Sequence, residues 1–420
     1  MILLRFCLFF YFLLANSFIG NAAPVEIVFW HSMAGGVGDV VNKIAADFNK
    51  SQDKYMVKPI YKGDYIETLT SFAAAFNAKE PPNLVQVFEV GKNTMLHPKG
   101  IIKPLSEILS NSSDIAFYQT VQDYYSVDGN LQAMPFNVSI PVVYYNKDAL
   151  AKVGIEDNNF PRTWQELETA ANKLIGAGFS CAYTSAHPAW ILIESFAALH
   201  NIPLVDEKTG KALYANKDIL AHLNRINKWY KKGYFNYGGR ADNSTVLFTS
   251  GKCPIYTQSS GAYSSLSQMA EFKVGVAPLP IDNNITTKRY SNVVGGGAIW
   301  VVSGQTSVEY QAIASFLAYI ASMDIQNYWH NHTGYLAINS TYSKDDSKMP
   351  SIIDIAEFDL FTSNHALNRA VPIPQNQLRM INDQALEAIF SGKREPHDAL
   401  KKAEERANNV ILRFKKNTQF

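Results

Sequence analysis

The chain has 420 residues, and 38 Lys+Arg stand against 37 Asp+Glu. That length holds two or three domains' worth of chain, enough for sizeable cores. The near-balanced charge excludes an electrostatic case for nucleic acid or an anionic membrane surface as the partner.

The first elements lie at the N-terminus. "MILLRFCLFFYFLLANSFIGNAA" carries one cation, Arg5, then an apolar run, then small residues, the layout of a secretory signal peptide. Cleavage is expected after Ala22, so residues 1–22 are read as the signal and a soluble exported protein as the product. Asn16 and Asn21 interrupt the run before it reaches bilayer length. The mature chain keeps Cys181 and Cys253, which are free to pair in an oxidising compartment, although nothing in the sequence shows that they meet.

Next comes a strand-like "VEIVFW", then the glycine-rich "WHSMAGGVG", then "DVVNKIAADFN", a predicted helix. In that helix Val41, Ile44, Ala45 and Phe48 share a face. "NLVQVFEVG" reads as another strand. "TWQELETAANKLIGAG" predicts a helix capped by Thr163 with Glu166 three residues on, stopped by glycine. Such alternation argues for an α/β protein with largely parallel sheets. The end of the chain, "NDQALEAIFSGK" and "DALKKAEERANNVILRFKK", reads as two helices. The second sets Leu400, Ala403, Ala407, Val410, Ile411 and Phe414 on one face, as a core-packing helix does.

Strand, glycine-rich turn and helix also describe a phosphate-binding loop, but the residues fail that test. A dinucleotide fingerprint needs a third glycine where Val41 stands, and a P-loop needs Gly-Lys-Ser/Thr where the chain has Gly38-Asp39-Val40. No H-E-x-x-H or C-x-x-C occurs, and "TQSSGAY" is not a nucleophile elbow. His330 and His332 in "WHNHTG" have no acidic neighbour to complete a metal set, so a supporting or surface role is expected. No enzymatic activity, cofactor or metal is therefore expected.

"FWHSMAG", "YKGDY", "QVFEVG", "PFNVSIPVVYYNKDAL", "TWQEL", "FTSGKCPIYTQSSG", "GGGAIWV", "WHNHTGYLAIN" and "LEAIFSGK" occur in order across the mature chain. Together they resemble the extracellular solute-binding proteins of ABC importers. "FWHSMAG", "YKGDY", "QVFEVG" and "QNQLRM" are similar to the branch that binds glycerol phosphates. The resemblance implies two α/β lobes of the maltose-binding type, a hinge, and a ligand cleft that closes between them. Residues 23–136 and 297–340 would form the first lobe, and 137–296 and 341–420 the second. Crossings are expected near Phe136-Asn137, at Val294-Gly297, and between Asn339 and Ser347. A monomer that binds sn-glycerol 3-phosphate or a glycerophosphodiester and delivers it to ABC permease subunits is implied. A sugar receptor of the same fold and a secreted phosphodiester hydrolase are the alternatives.

The same resemblance assigns ligand contacts. Arg379 in "QNQLRM" would bind phosphate with two parallel N–H groups. Ser259 would donate a hydroxyl beside helix N–H groups, or only cap the helix. Ser139 sits at the first crossing, and Gly296 would let its backbone approach the ligand or free the hinge. Glu89, a carboxylate ending an apolar strand, needs donors, and ligand hydroxyls would be such donors. Tyr65 and Tyr335 offer hydroxyls and ring faces, or ordinary packing. Where relatives place a tryptophan, "TSAHPAW" offers His187, with Trp190 three residues later. His187 would add positive charge when protonated.

Overall fold

The computed structural model describes residues 23–97, 99–109, 115–343, 348–361 and 373–418. The expected signal peptide lies outside the described residues, as does part of the third expected crossing. No helix among the described residues is long and apolar enough to cross a membrane.

Strands form in chain order at Val25–His31 (β1), Tyr55–Tyr61 (β2), Leu84–Phe88 (β3), Met134–Pro135 (β4) and Pro141–Asn146 (β5). They continue at Tyr183–Ser185 (β6), Phe235–Asn236 (β7), Ile255–Ser259 (β8), Val274–Pro278 (β9) and Gly297–Val301 (β10). These build two five-stranded sheets, ordered β2-β1-β3-β10-β4 and β9-β5-β8-β6-β7. The largely apolar strands β3 and β10 are buried along their whole length, as central strands covered on both faces must be, and the one polar side chain, Gln86, is hydrogen-bonded.

The sheets are mixed, which corrects the expectation of largely parallel ones. β1 pairs in parallel with β2 and β3, whereas β10 runs antiparallel to β3 and β4. In the second sheet β8 and β7 are parallel to β6, but β5 is antiparallel to β8 and β9. The cause is the connectivity. β10 returns from the second sheet and enters the first in the reverse sense, so it owes no crossover helix to its neighbour.

The helices follow the periodicity. Gly35–Ser51 (α1) buries Val41, Ile44, Ala45 and Phe48. Tyr65–Asn77 (α2) starts at Asp64, which accepts from the N–H groups of Ile66 and Glu67 and completes a capping box with Glu67. Trp164–Gly176 (α3) carries the Thr163–Glu166 capping box. Gln375–Phe390 (α4) and Pro396–Thr418 (α5) close the chain, with Leu400, Ala403, Ala407 and Ile411 buried. The glycines of "WHSMAGGVG" belong to the first turns of α1, where a Cβ on Gly38 would lie 2.6 Å from the Met33 carbonyl oxygen. They permit a close turn, and this turn stands outside the cavity described below.

Two apolar cores follow from the two sheets, one around β1, β3 and β10, the other around β6 and α3. Cys181 and Cys253 form a disulfide. The register explains it: Tyr183 pairs with Ile255 in parallel strands, so the residues two before each are also neighbours. Between the sheets the chain crosses at Ser139 and Gly295, which form an antiparallel bridge.

Candidate functional site

A cavity of about 470 Å³ opens where both sheets end. From the first sheet's side come Tyr65 at the start of α2, Glu89 just past β3, and Tyr335. From the second come His187, Trp190, Ser259 at the end of β8, and Arg379 on α4. Ser139 and Gly296 line it from the crossing. The structure thus brings all nine residues singled out from the sequence to one cavity.

Arg379 stands at its centre of charge. Its Nε and Nη2 donate to both oxygens of Glu194, at 2.9 and 2.5 Å, and its Nη1 donates to Glu89 at 2.6 Å. Burial works against the guanidinium's charge, yet Glu194 and Glu89 outweigh it and hold it firmly protonated. Burial also pushes the Glu89 carboxyl up, which Arg379 opposes. The donors expected from a ligand for Glu89 are here supplied in part by Arg379. Two of the five N–H donors of the guanidinium stay outside these three bonds. Glu194 was not foreseen, although it is the one charge within the apolar run "AWILIESFAAL" and could have been found there.

The tyrosines are fixed from behind. Gln86 donates to Asn137 Oδ1 at 2.8 Å, and Asn137 Nδ2 donates to the Tyr65 hydroxyl at 2.7 Å. The Tyr65 ring stacks on Phe88 with centroids 5.4 Å apart. Tyr335 stacks on Trp329, and His330 Nδ1 lies 2.7 Å from the Tyr335 carbonyl oxygen. His330 is therefore a buried support, while His332 is exposed. Burial raises the pKa of both cavity tyrosines, which keeps their hydroxyls protonated.

Ser259 accepts from the Gly261 N–H at 3.2 Å and so caps the turn that follows, leaving its own O–H to donate. Gly296 has φ +93°, and a Cβ there would sit 1.7 Å from the Asn137 carbonyl oxygen. Only glycine fits. A Cβ on neighbouring Gly295 would meet the Trp190 ring at 2.3 Å, so the indole packs directly against the crossing. His187 adopts φ +41°, and its N–H donates to the Ala241 carbonyl. Burial pushes its imidazole down to about 4. It is neutral near pH 7, which corrects the expectation of added positive charge.

The lining also includes Asn376, Met380 and Asp383. With Arg379 they recur at helical spacing on one face of α4, and a wheel drawn from Arg379 would have found them. Burial pushes the Asp383 carboxyl up to about 7, against the pull of Arg379. Arg240, the other lining arginine, is held by both oxygens of Glu387 at 2.6 Å each.

Comparison with known proteins places the fold and site in context. Residues 43–352 match the family model described as bacterial extracellular solute-binding protein. The sn-glycerol-3-phosphate-binding periplasmic protein UgpB of Yersinia pseudotuberculosis is 36% identical over 423 residues, covering 96% of each chain. The corresponding protein of Salmonella paratyphi A is also 36% identical, with 96% of each chain covered. Among solved structures, UgpB from Mycobacterium tuberculosis in complex with glycerophosphocholine superposes with a TM-score of 0.76 at 20% identity, covering 93% of this chain and 99% of that one. The GacH receptor of Streptomyces glaucescens gives 0.77 at 19% identity, with 93% and 99% covered. The chain belongs to the bacterial extracellular solute-binding protein family.

Proposed function

We propose that this protein is the periplasmic receptor of an ABC importer and takes up sn-glycerol 3-phosphate or a glycerophosphodiester. The observation that carries the reading is Arg379, a largely buried cation on the cavity wall with N–H groups to spare, in a cavity that the Ser259 hydroxyl also lines. Phosphate oxygens accept from such donors more strongly than neutral groups do. The relatives' printed ligands point to the same chemistry. Tyr65, Tyr335 and Trp190 would cover the glycerol, and Glu89 would accept from its hydroxyls. Ser139 and Gly296 would approach the ligand at the crossing, and closure of the lobes would present the loaded protein to membrane permease subunits. The lobes would be residues 23–136 with 297–340, and 137–296 with 341–420. The protein would act as a monomer, without catalysis and after removal of its signal peptide.

Calorimetric titration of mature protein, stripped of carried-over ligand by unfolding and refolding, tests this. Saturable binding of a phosphate compound, weakened at least 100-fold by Arg379→Ala, is expected. Binding of maltose alone would replace it with a sugar receptor, and release of glycerol phosphate from glycerophosphocholine would replace it with a hydrolase.

A further inference from the structure

The last two helices enclose a second hollow, outside the site described above. α4 and α5 pack together, and the groove between them, about 230 Å³, has a floor of small side chains: Ala385 and Ala388 from α4, Ala399 and Ala403 from α5. Its rim is cationic. Lys393 and Arg394 come from the turn between the helices, and Lys402 and Arg406 from α5, while no carboxylate belongs to the lining. All four cations are exposed. None of them is in an ion pair or a side-chain hydrogen bond among the described residues. Lys402 and Arg406 stand four residues apart on one helix, where like charges repel.

The backbone holds these charges in place. In the turn the Ser391 N–H donates to the Glu387 carbonyl, the Gly392 N–H to that of Ile389 and the Arg394 N–H to that of Ala388. The neighbouring carboxylates are engaged elsewhere or flank the groove. Glu387 feels Lys393, but both its oxygens hold Arg240. Glu395 lies 3.2 Å from Lys231, Asp398 sits against His397, and Glu405 is exposed beside Arg406. Positive potential is therefore confined to the groove, and a cleft of one sign with apolar walls focuses it. The groove also lies away from Arg379. Ile381, which lines it, is about 200° around α4 from that residue, so an occupant here leaves the ligand cavity open.

We propose that this groove docks an acidic segment of a protein partner, whose carboxylates pair with Lys393, Arg394, Lys402 and Arg406 while its backbone lies over the alanine floor. A single small anion would meet exposed, hydrated cations one or two at a time, and such contacts are weak. A run of carboxylates engages all four together. A flat anionic membrane would press on Asp398 and Glu405 as well, whereas a segment lying within the groove meets cations only. Complementary charge of this kind sets encounter rate and partner choice.

The test is fluorescence anisotropy of labelled hexaglutamate titrated with mature protein at low salt. Lys402→Glu with Arg406→Glu is expected to weaken binding at least tenfold, and Lys393→Ala with Arg394→Ala at least threefold. Lys50→Glu with Lys54→Glu makes the same change of net charge on α1 and the loop after it, and should alter binding less than twofold. Hydrogen exchange of residues 391–395 should slow when the peptide is bound, and thermal melts report that each variant is folded. Equal weakening in the two glutamate pairs, or no binding of hexaglutamate to the wild-type chain, would overturn the proposal. So would inorganic phosphate that displaces the peptide at equal concentration, which marks a small-anion site. Vesicles of phosphatidylglycerol that bind more tightly than the peptide, with the same dependence on Lys402 and Arg406, would replace the protein partner with a membrane. None of these outcomes touches the phosphate reading, which rests on the other cavity.

Discussion

At the scale of single residues, backbone geometry and burial decide most of what a substitution would do. Gly296 combines φ +93° with a Cβ position 1.7 Å from the Asn137 carbonyl oxygen. Gly296→Ala is therefore expected to destabilise by about 3 kcal/mol, from left-handed strain and overpacking together, and chemical denaturation measures it. Titration follows burial. His31 and His187 are pushed from 6.5 down to about 4 in the native state. Between pH 6.5 and about 4 the unfolded chain binds protons that the native histidines refuse, so stability falls on acidification through that window. Asp383 acts in the opposite sense. Its native carboxyl keeps a proton up to about 7, while the unfolded one releases it near 3.8. Its contribution to stability is present below 3.8 and lost as pH rises to about 7. Melting temperature against pH should show His187→Gln softening the acid limb and Asp383→Asn softening the loss toward neutral pH. Unchanged profiles would contradict the assigned burial.

At the scale of elements, the sequence was legible wherever a local rule applied. Thr163 and Glu166 announced the start of α3, and the apolar face of α1 announced its packing. Thr163→Ala should cost about 1 kcal/mol, read as a lowered denaturation midpoint. Strand direction was not legible, because β10 enters its sheet from the far side of the molecule and no local pattern records that. The disulfide was hidden for the same reason. Cys181 and Cys253 are 72 residues apart, and only the β6–β8 register brings them together. A loop of that length predicts a loss of roughly 4 kcal/mol when both are replaced by serine. A thermal melt would reveal it, and an unchanged midpoint would show that the bridge adds little.

At the scale of the whole molecule, the cavity gathers residues as distant as Tyr65 and Arg379. The family resemblance located seven of the nine named lining residues through their motifs, whereas His187 and Trp190 came from "TSAHPAW", the stretch that departs from the pattern. It did not reveal how they hold one another. That Glu89 and Glu194 share Arg379 depends on the joint placement of the β3 end, the π-helical segment Ala189–Ser195 and α4. Asn376 and Asp383 went unnoticed because their meaning comes from the helical face they share with Arg379. The Glu89–Arg379 contact ties an element of the first sheet's side to one of the second, and it leaves the guanidinium two N–H groups for an occupant of the cavity.

A crystal structure of the mature protein grown with a saturating glycerophosphodiester tests the central claim most directly. The account predicts phosphate oxygens at hydrogen-bond distance, about 2.7–2.9 Å, from the free N–H groups of Arg379, with the glycerol between Trp190 and Tyr65. Phosphate bound away from Arg379, or a cavity that stays closed to it by the Glu89–Arg379–Glu194 contacts, would contradict the account.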